Sequence, residues 1–264
     1  MRRTVSRKMG AGALVVGVAM GVYVGGTVGA IVGVLLAMIG FQALTRGVEG
    51  RPYIVTGLLT TAGLALIAWA HGLDAPEVGL GRSTWVHGIA IAVGIVVVVG
   101  VVIGIAGSIP RLQHLFADER ITEVSGLETT RKALLDIPFG TVLIEEFAFR
   151  GVLLALGDVL WPLPWAVVWT SVLFGLWHIS PSLEMHESHT ATSGSVIPTV
   201  ISTVVFTGLG GVMFAVLRLY THSLFPPSAL HWAMNGTGVV VGWFVHRNRG
   251  TDAAVATSDD AEQR

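Results

Sequence analysis

Read as a string of apolar and polar positions, the chain is a succession of long apolar stretches divided by short clusters of charge. Asp, Glu, Lys and Arg are absent from residues 9–45, 52–73, 83–110, 159–183, 188–217 and 219–246. Several of these runs exceed the ~20 residues that a helix needs to cross the hydrocarbon of a bilayer. The pattern predicts helices at about 53–71, 85–109, 132–157, 163–180, 196–218 and 226–246. The first run, 9–44, is too long for one crossing, because a helix rising 1.5 Å per residue would measure about 54 Å against a core about 30 Å thick. Two helices turning near Gly25-Gly26 fit better and bring the expected count to eight crossings; one long helix would bring it to seven. Gly17, Gly21, Gly25, Gly29 and Gly33 recur every four residues, a small-xxx-small series that lets helices approach closely in lipid. The expected fold class is therefore all-α, a polytopic membrane helix bundle.

Composition narrows the function classes. Of 264 residues, 52% are hydrophobic and 12% charged, where a soluble domain has roughly 25% charged residues; an ordinary soluble enzyme is excluded. A net charge of -1 supplies no basic field to hold a phosphate backbone, so no nucleic-acid partner is expected. The absence of cysteine excludes a thiol nucleophile, a disulfide framework and a thiolate-bound metal.

Charge also orients the expected bundle. Residues 1–8 carry Arg2, Arg3, Arg7 and Lys8 and no anion, and the apolar run behind them outlasts a signal peptide, which predicts an uncleaved anchor with a basic cytoplasmic N-terminus. With eight helices, the Arg46/Arg51 loop, the Arg111–Lys132 loop and the Arg247/Arg249 tail also fall in the cytoplasm. The external loops then hold only Arg82 and, at a boundary, Arg218, whereas the inner loop at 182–195 has no Lys or Arg. Residues 9–246 read as one membrane domain and 247–264 as a polar tail expected to be disordered. The expected setting is a plasma membrane of the bacterial type, with the lipid bilayer itself as a partner.

One helix departs from the apolar rule. Residues 141–150 read Thr-Val-Leu-Ile-Glu-Glu-Phe-Ala-Phe-Arg, and each charge there costs about 2.5 to 3.5 kcal/mol at mid-bilayer on insertion scales. Glu146 and Arg150 stand four apart, acid before base, and can neutralise each other. Glu145 points about 100° away, a carboxylate left to act as a base or ligand unless an interhelical ion pair consumes it. Two more helices carry polar groups: His178 ends Phe-Gly-Leu-Trp-His at 174–178, and His231 and Asn235 lie one turn apart in His-Trp-Ala-Met-Asn at 231–235. Polar residues in a membrane bundle turn inward, toward one another or a water cavity. Glu184, His186, Glu187 and His189 fall in a polar segment with Thr190, Thr192, Ser193, Gly194 and Ser195, which reads as a solvated loop or lid. His71, His87, His114, His222 and His246, and Trp161, Trp165, Trp232 and Trp243, lie near helix ends or motif faces and receive no chemistry.

The blocks Glu-Glu-Phe-Ala-Phe-Arg, Phe-Gly-Leu-Trp-His and His-Trp-Ala-Met-Asn resemble, in order and on separate helices, the EExxxR, FxxxH and HxxxN motifs of the CPBP family of intramembrane proteases, also called the Abi or CAAX-protease family. The resemblance covers roughly residues 132–246 and implies a multi-helix endopeptidase with its site inside the bilayer, like the type II CAAX prenyl endopeptidases. It implies that Glu145 and His178 activate a water, that His231 and Asn235 hold the oxyanion, and that Glu146 and Arg150 support the helix. It leaves open a second chemistry, a zinc ion on Glu145, His178 and His231 with water in the fourth position; the HExxH helix that would favour zinc is absent. In the prenyl endopeptidases the motif helices are the fourth, fifth and seventh, but here they count as fifth, sixth and eighth. The expected substrate is a membrane-associated protein or peptide. The rival readings are a transporter using the Glu/Arg/His cluster as an ion relay and a membrane scaffold without catalysis. One tension stands out. Glu145 and His178 lie about 20 Å from the turn between their helices, but His231 is about 8 Å beyond Pro226, a conflict that disappears if its helix begins below the membrane surface.

Overall fold

In the computed structural model residues 2–116, 124–188 and 195–262 are described, with side chains described over 7–116, 124–184 and 195–248. Among these residues every regular element is helical. We number the helices α1 (Arg2–Tyr23), α2 (Gly26–Thr45), α3 (Arg51–Ala70), α4 (Trp85–Ser108), α5 (a continuous rod over 126–160), α6 (Leu163–Trp177), α7 (Ile179–Ser188), α8 (Val196–Thr221) and α9 (Phe225–Glu262). The protein is an all-α membrane bundle. Gly26–Thr45, Arg51–Ala70, Arg82–Ser108, Leu163–Glu184 and Val196–Thr221 are each long and apolar enough to cross a bilayer.

The first apolar run does break in two, at Val24-Gly25, and Gly26 turns the chain with φ 84°. The glycine series explains why the two halves lie together. A Cβ on Gly17 would strike the backbone of Ala37, and one on Gly33 would strike Gly21. α4 shows the opposite habit: only Gly88 and Gly107 are buried in it, while Val86, Val93, Val98 and Ile105 stand more than half exposed. A helix apolar on every side and bare of protein is one that lipid covers. It leans on α9, and α6 leans on α8.

The centre of the bundle is α5. It starts from a capping box in which Ser125 and Glu128 each take the other's backbone N–H. Beyond it, π-helical stretches at Lys132–Val142 and Phe147–Leu153 flank a single α turn at Leu143–Glu146, the kind of local widening that often marks functional sites. Pro138, which has no N–H to give, lies within the first stretch. Every residue from Ile144 to Leu154 is buried, in the core formed with Val34 and Met38 of α2 and Leu64 and Ile67 of α3.

Two expectations need correction. The segment expected as a solvated loop at 182–195 is helical through Ser188, so Glu184, His186 and Glu187 ride on α7; His189, Thr190, Thr192, Ser193 and Gly194 lie outside the described residues. The end expected for the last helix near 246 is not a helix end, since α9 continues to Glu262 through a stretch containing Ala253, Ala254 and Ala256, residues of the best helix propensity. The α8–α9 turn is largely covered by protein, with Thr221, Ser223 and Leu224 buried and Pro226 and Pro227 fully so, while His222 is exposed. The segment 71–84 covers it: Leu224 N–H donates to Gly79 O at 2.8 Å, and Arg218 donates to the carbonyls of Pro76 and Glu77. α9 therefore starts within the bundle, with prolines where the first-turn N–H groups would lack partners anyway.

Candidate functional site

α5 presents Glu145 and Glu146 on its α-helical turn and Arg150 one turn later. All three are buried, at 6%, 1% and 2% exposure. Arg150 Nη1 donates to Glu146 Oε1 at 3.1 Å, as the i,i+4 spacing requires. The guanidinium lies over the face of Phe174, its carbon 3.9 Å from the ring centroid, with Phe214 at 4.9 Å, so aromatic faces cover the cation where water cannot.

α9 brings His231 into the same pair. Its Nδ1 is 2.8 Å from Glu146 Oε1, and its Nε2 is 3.9 Å from Glu145 Oε2. Its ring stacks on Phe214 at 5.3 Å and meets Phe174 edge to face. Because Glu146 already accepts from Arg150, its carboxylate is the acceptor and Nδ1 carries the hydrogen. That directs Nε2 at Glu145. Glu145 is held from its other side by Trp177, whose indole N–H donates to Oε1 at 2.9 Å. Glu145 Oε2, Glu146 Oε2 and Arg150 Nη2 are buried without a hydrogen-bond partner, which costs free energy a folded protein normally avoids. Glu145 Oε2 and His231 Nε2, 3.9 Å apart, face each other beyond hydrogen-bond distance.

His178 stands at the joint between α6 and α7. Pro181 has no N–H to offer the Trp177 carbonyl one turn back, and the helix is interrupted at His178. His178 closes α6 as its C-cap, and its Nδ1 lies 2.8 Å from the carbonyl of Phe174. A carbonyl cannot donate, so Nδ1–H is fixed and Nε2 is left as an acceptor. Glu145 and His178 share the wall of a cavity of about 280 Å³ that Tyr53, Thr141 and Trp177 also line, with Arg46 and Glu184 bridged at 3.0 Å beside it.

Five of the six residues expected at the site thus gather around α5: Glu145, Glu146, Arg150 and His231 in direct contact, and His178 on the shared cavity wall. Asn235 does not join them. One turn beyond His231 the face of α9 that meets α5 is Trp232 and Gly236, with the Trp232 indole donating to Ala133 O at 2.7 Å and Gly236 packed beside that carbonyl. Asn235, about 100° round from Gly236, is exposed, and no hydrogen bond ties it to the cluster among the described residues. The zinc set fares no better: among the described residues no three His, Asp or Glu side chains converge as a metal site. Glu145 Oε1 is committed to Trp177, and His178 stands apart on the cavity wall. Sequence reasoning missed Trp177, Gln42, Tyr53 and Thr141. Trp177 could have been found, since it directly precedes a motif histidine; Gln42 and Tyr53 lie about 90 or more residues from the motifs and leave no local signal.

A second cavity, of about 560 Å³, opens on the other side of α5 and is almost wholly apolar, with Val93 and Val97 of α4, Val142 and Phe147 of α5, and Phe225 and Trp232 of α9 on its walls.

Residues 131–237 match a family model described as type II CAAX prenyl endopeptidase Rce1-like. No curated protein and no solved structure matches the chain. The matched segment begins within the first turns of α5 and contains Glu145, Glu146, Arg150, His178 and His231. Over residues 131–237 the chain is therefore similar to the Rce1-like type II CAAX prenyl endopeptidases, a similarity that points to a membrane-embedded hydrolase.

Proposed function

We propose that the chain is an intramembrane endopeptidase in which Glu145 is the general base that activates water against a peptide bond of a membrane-associated protein. The observation that carries this reading is the Glu145 carboxylate itself. It is buried, pinned through one oxygen by Trp177, partnerless at the other, faced by His231 Nε2 and set on the wall of a polar cavity. Donors fixed in a dry site act strongly on developing charge.

Glu145 takes a proton from the water as its oxygen attacks the substrate carbonyl carbon. His178, with Nε2 available as an acceptor, assists on the cavity side. The tetrahedral oxyanion then collapses, the C–N bond breaks, and the proton held by Glu145 passes to the leaving nitrogen, giving a carboxylic acid and an amine. His231 faces Glu145 with Nε2 and is oriented by Glu146, much as a carboxylate orients the histidine of a hydrolase triad. Arg150 pairs with Glu146 and offsets its charge in the buried site. No step passes through a metal, because the donors do not converge on one.

The substrate class proposed is a prenylated CAAX-type protein, the class named in the family description. The almost wholly apolar cavity on the other side of α5 supports it, since its walls match the chemistry of a hydrocarbon chain. The distribution of Lys and Arg supports an N-terminus on the cytoplasmic side. Comparative peptide analysis of membranes carrying the wild type or Glu145→Ala tests the function: a trimmed C-terminus should appear with the wild type alone. Identical peptide sets from the two membranes would overturn it.

A further inference from the structure

The Glu145 cavity has a wall that the matched segment does not supply. α3 and α5 approach closely through glycine: a Cβ on Gly57 would meet the carbonyl of Phe139 at 3.0 Å, and one on Gly140 would strike the ring of Tyr53. This approach lays the half-buried phenol of Tyr53 across α5, with its oxygen 2.8 Å from Thr141 Oγ1. Thr141 precedes Glu145 by four residues, so the two share a helix face with Cβ atoms about 6 Å apart. Tyr53, Thr141, Glu145 and His178 all line the one cavity.

Most donors on this wall are engaged: Arg46 pairs with Glu184, and only Gln42 keeps a second amide hydrogen beside the Tyr53–Thr141 pair. On the same wall the Trp177 indole N–H is spent on Glu145, Gln42 Nε2 donates to the Trp177 carbonyl at 3.1 Å, Thr45 donates to Phe41 O, and His178 Nδ1–H is spent on Phe174 O. Tyr53 and Thr141 bring two hydroxyl hydrogens to a contact that uses one. One remains for a ligand in the cavity, a turn away from the proposed base. Asn235, the side chain whose amide the family resemblance would place at the oxyanion, is exposed elsewhere on α9.

We propose that Tyr53 is a catalytic hydrogen-bond donor: Thr141 donates to the phenol oxygen, and the phenol hydrogen is given to the substrate carbonyl oxygen as it becomes the oxyanion. This rests on the reading of Glu145 as the base. No covalent change occurs at Tyr53.

The test is steady-state cleavage of a fluorogenic farnesylated CAAX peptide by the purified full-length protein in lipid nanodiscs, with thermal unfolding measured for each variant. Glu145→Gln should be inactive. Tyr53→Phe should lose roughly 10²-fold in kcat, the scale of one oxyanion donor, with KM close to wild type and unfolding little changed. Thr141→Val should lose far less, because the phenol keeps its hydrogen. A purely structural Tyr53–Thr141 bond would instead make the two variants alike, and that result would overturn the donor role. Normal kcat in Tyr53→Phe beside an inactive Glu145→Gln would sink the donor and leave the base standing. A loss in Gln42→Leu with Tyr53→Phe normal would assign the donor to the second amide hydrogen of Gln42. Turnover retained by Glu145→Gln, or none by the wild type, would remove the reading on which the donor rests and the donor with it.

Discussion

At the scale of single residues, the site is governed by how charges are paired where water is excluded. Glu146 Oε1 takes two donors, Arg150 at 3.1 Å and His231 at 2.8 Å, so one carboxylate both neutralises a cation and sets a histidine. Removing the cation leaves the anion buried, which costs about 3 to 5 kcal/mol. Arg150→Ala should therefore lower the amount of folded protein as well as activity, read as membrane abundance and unfolding temperature; normal abundance would mean that the pair stabilises nothing. Arg150→Lys should not restore the wild type, because an ammonium cannot reproduce the planar cation stacked over Phe174. The donor geometry also bears on cofactors. With Glu145, His178 and His231 failing to converge, turnover should survive purification in strong chelator. Chelator-sensitive activity restored by zinc would contradict this.

At the scale of elements, much was legible and the gaps have physical causes. Periodic apolar runs and charge-free spans located the helices, and the excess length of residues 9–44 foretold a hairpin that Gly17 and Gly33 close. The Glu146–Arg150 contact followed from i,i+4 spacing alone. The misplacement of Asn235 has a different origin: residues four apart on a helix share a face only approximately, and here Gly236 takes the contact with α5. The Tyr53–Thr141 pairing spans 88 residues and depends on Gly57 and Gly140 letting two backbones meet; nothing local in the sequence encodes it. Gly140→Ala should accordingly displace Tyr53 and reduce turnover while Glu145 and His178 remain in place, measurable as a fall in kcat with the bundle intact. At the polar start of α5, Glu128 is held below the usual carboxylate range, first by the backbone N–H of Ser125 and then by its hydroxyl. The stabilisation of this helix start is complete above the ordinary glutamate range and is lost as pH falls through the lowered value. Ser125→Ala should weaken that acid dependence, as read by hydrogen exchange at the start of α5.

At the scale of the whole molecule, the bundle works by sinking one helix start into its interior. The turn at 221–224 lies under the segment 71–84, and Arg218, 5% exposed, ties the two through the Pro76 and Glu77 carbonyls. Gly79 adopts φ 81° where a Cβ would collide with the Arg218 side chain, so Gly79→Ala should loosen the cover and lower both stability and turnover, as seen by unfolding and by KM against kcat. It is this sunken start that lets His231, six residues after Phe225, reach the depth of Glu145 on the long rod α5. Residues 131–237 carry the family match, but α2 and α3 complete the cavity with Gln42 and Tyr53. The central claim is that Glu145 is the base. Its most direct test is peptide-bond hydrolysis by purified Glu145→Gln beside the wild type, with both shown to be folded by circular dichroism and unfolding temperature. The account predicts a folded protein without turnover; a folded Glu145→Gln that cleaves at the wild-type rate would contradict it.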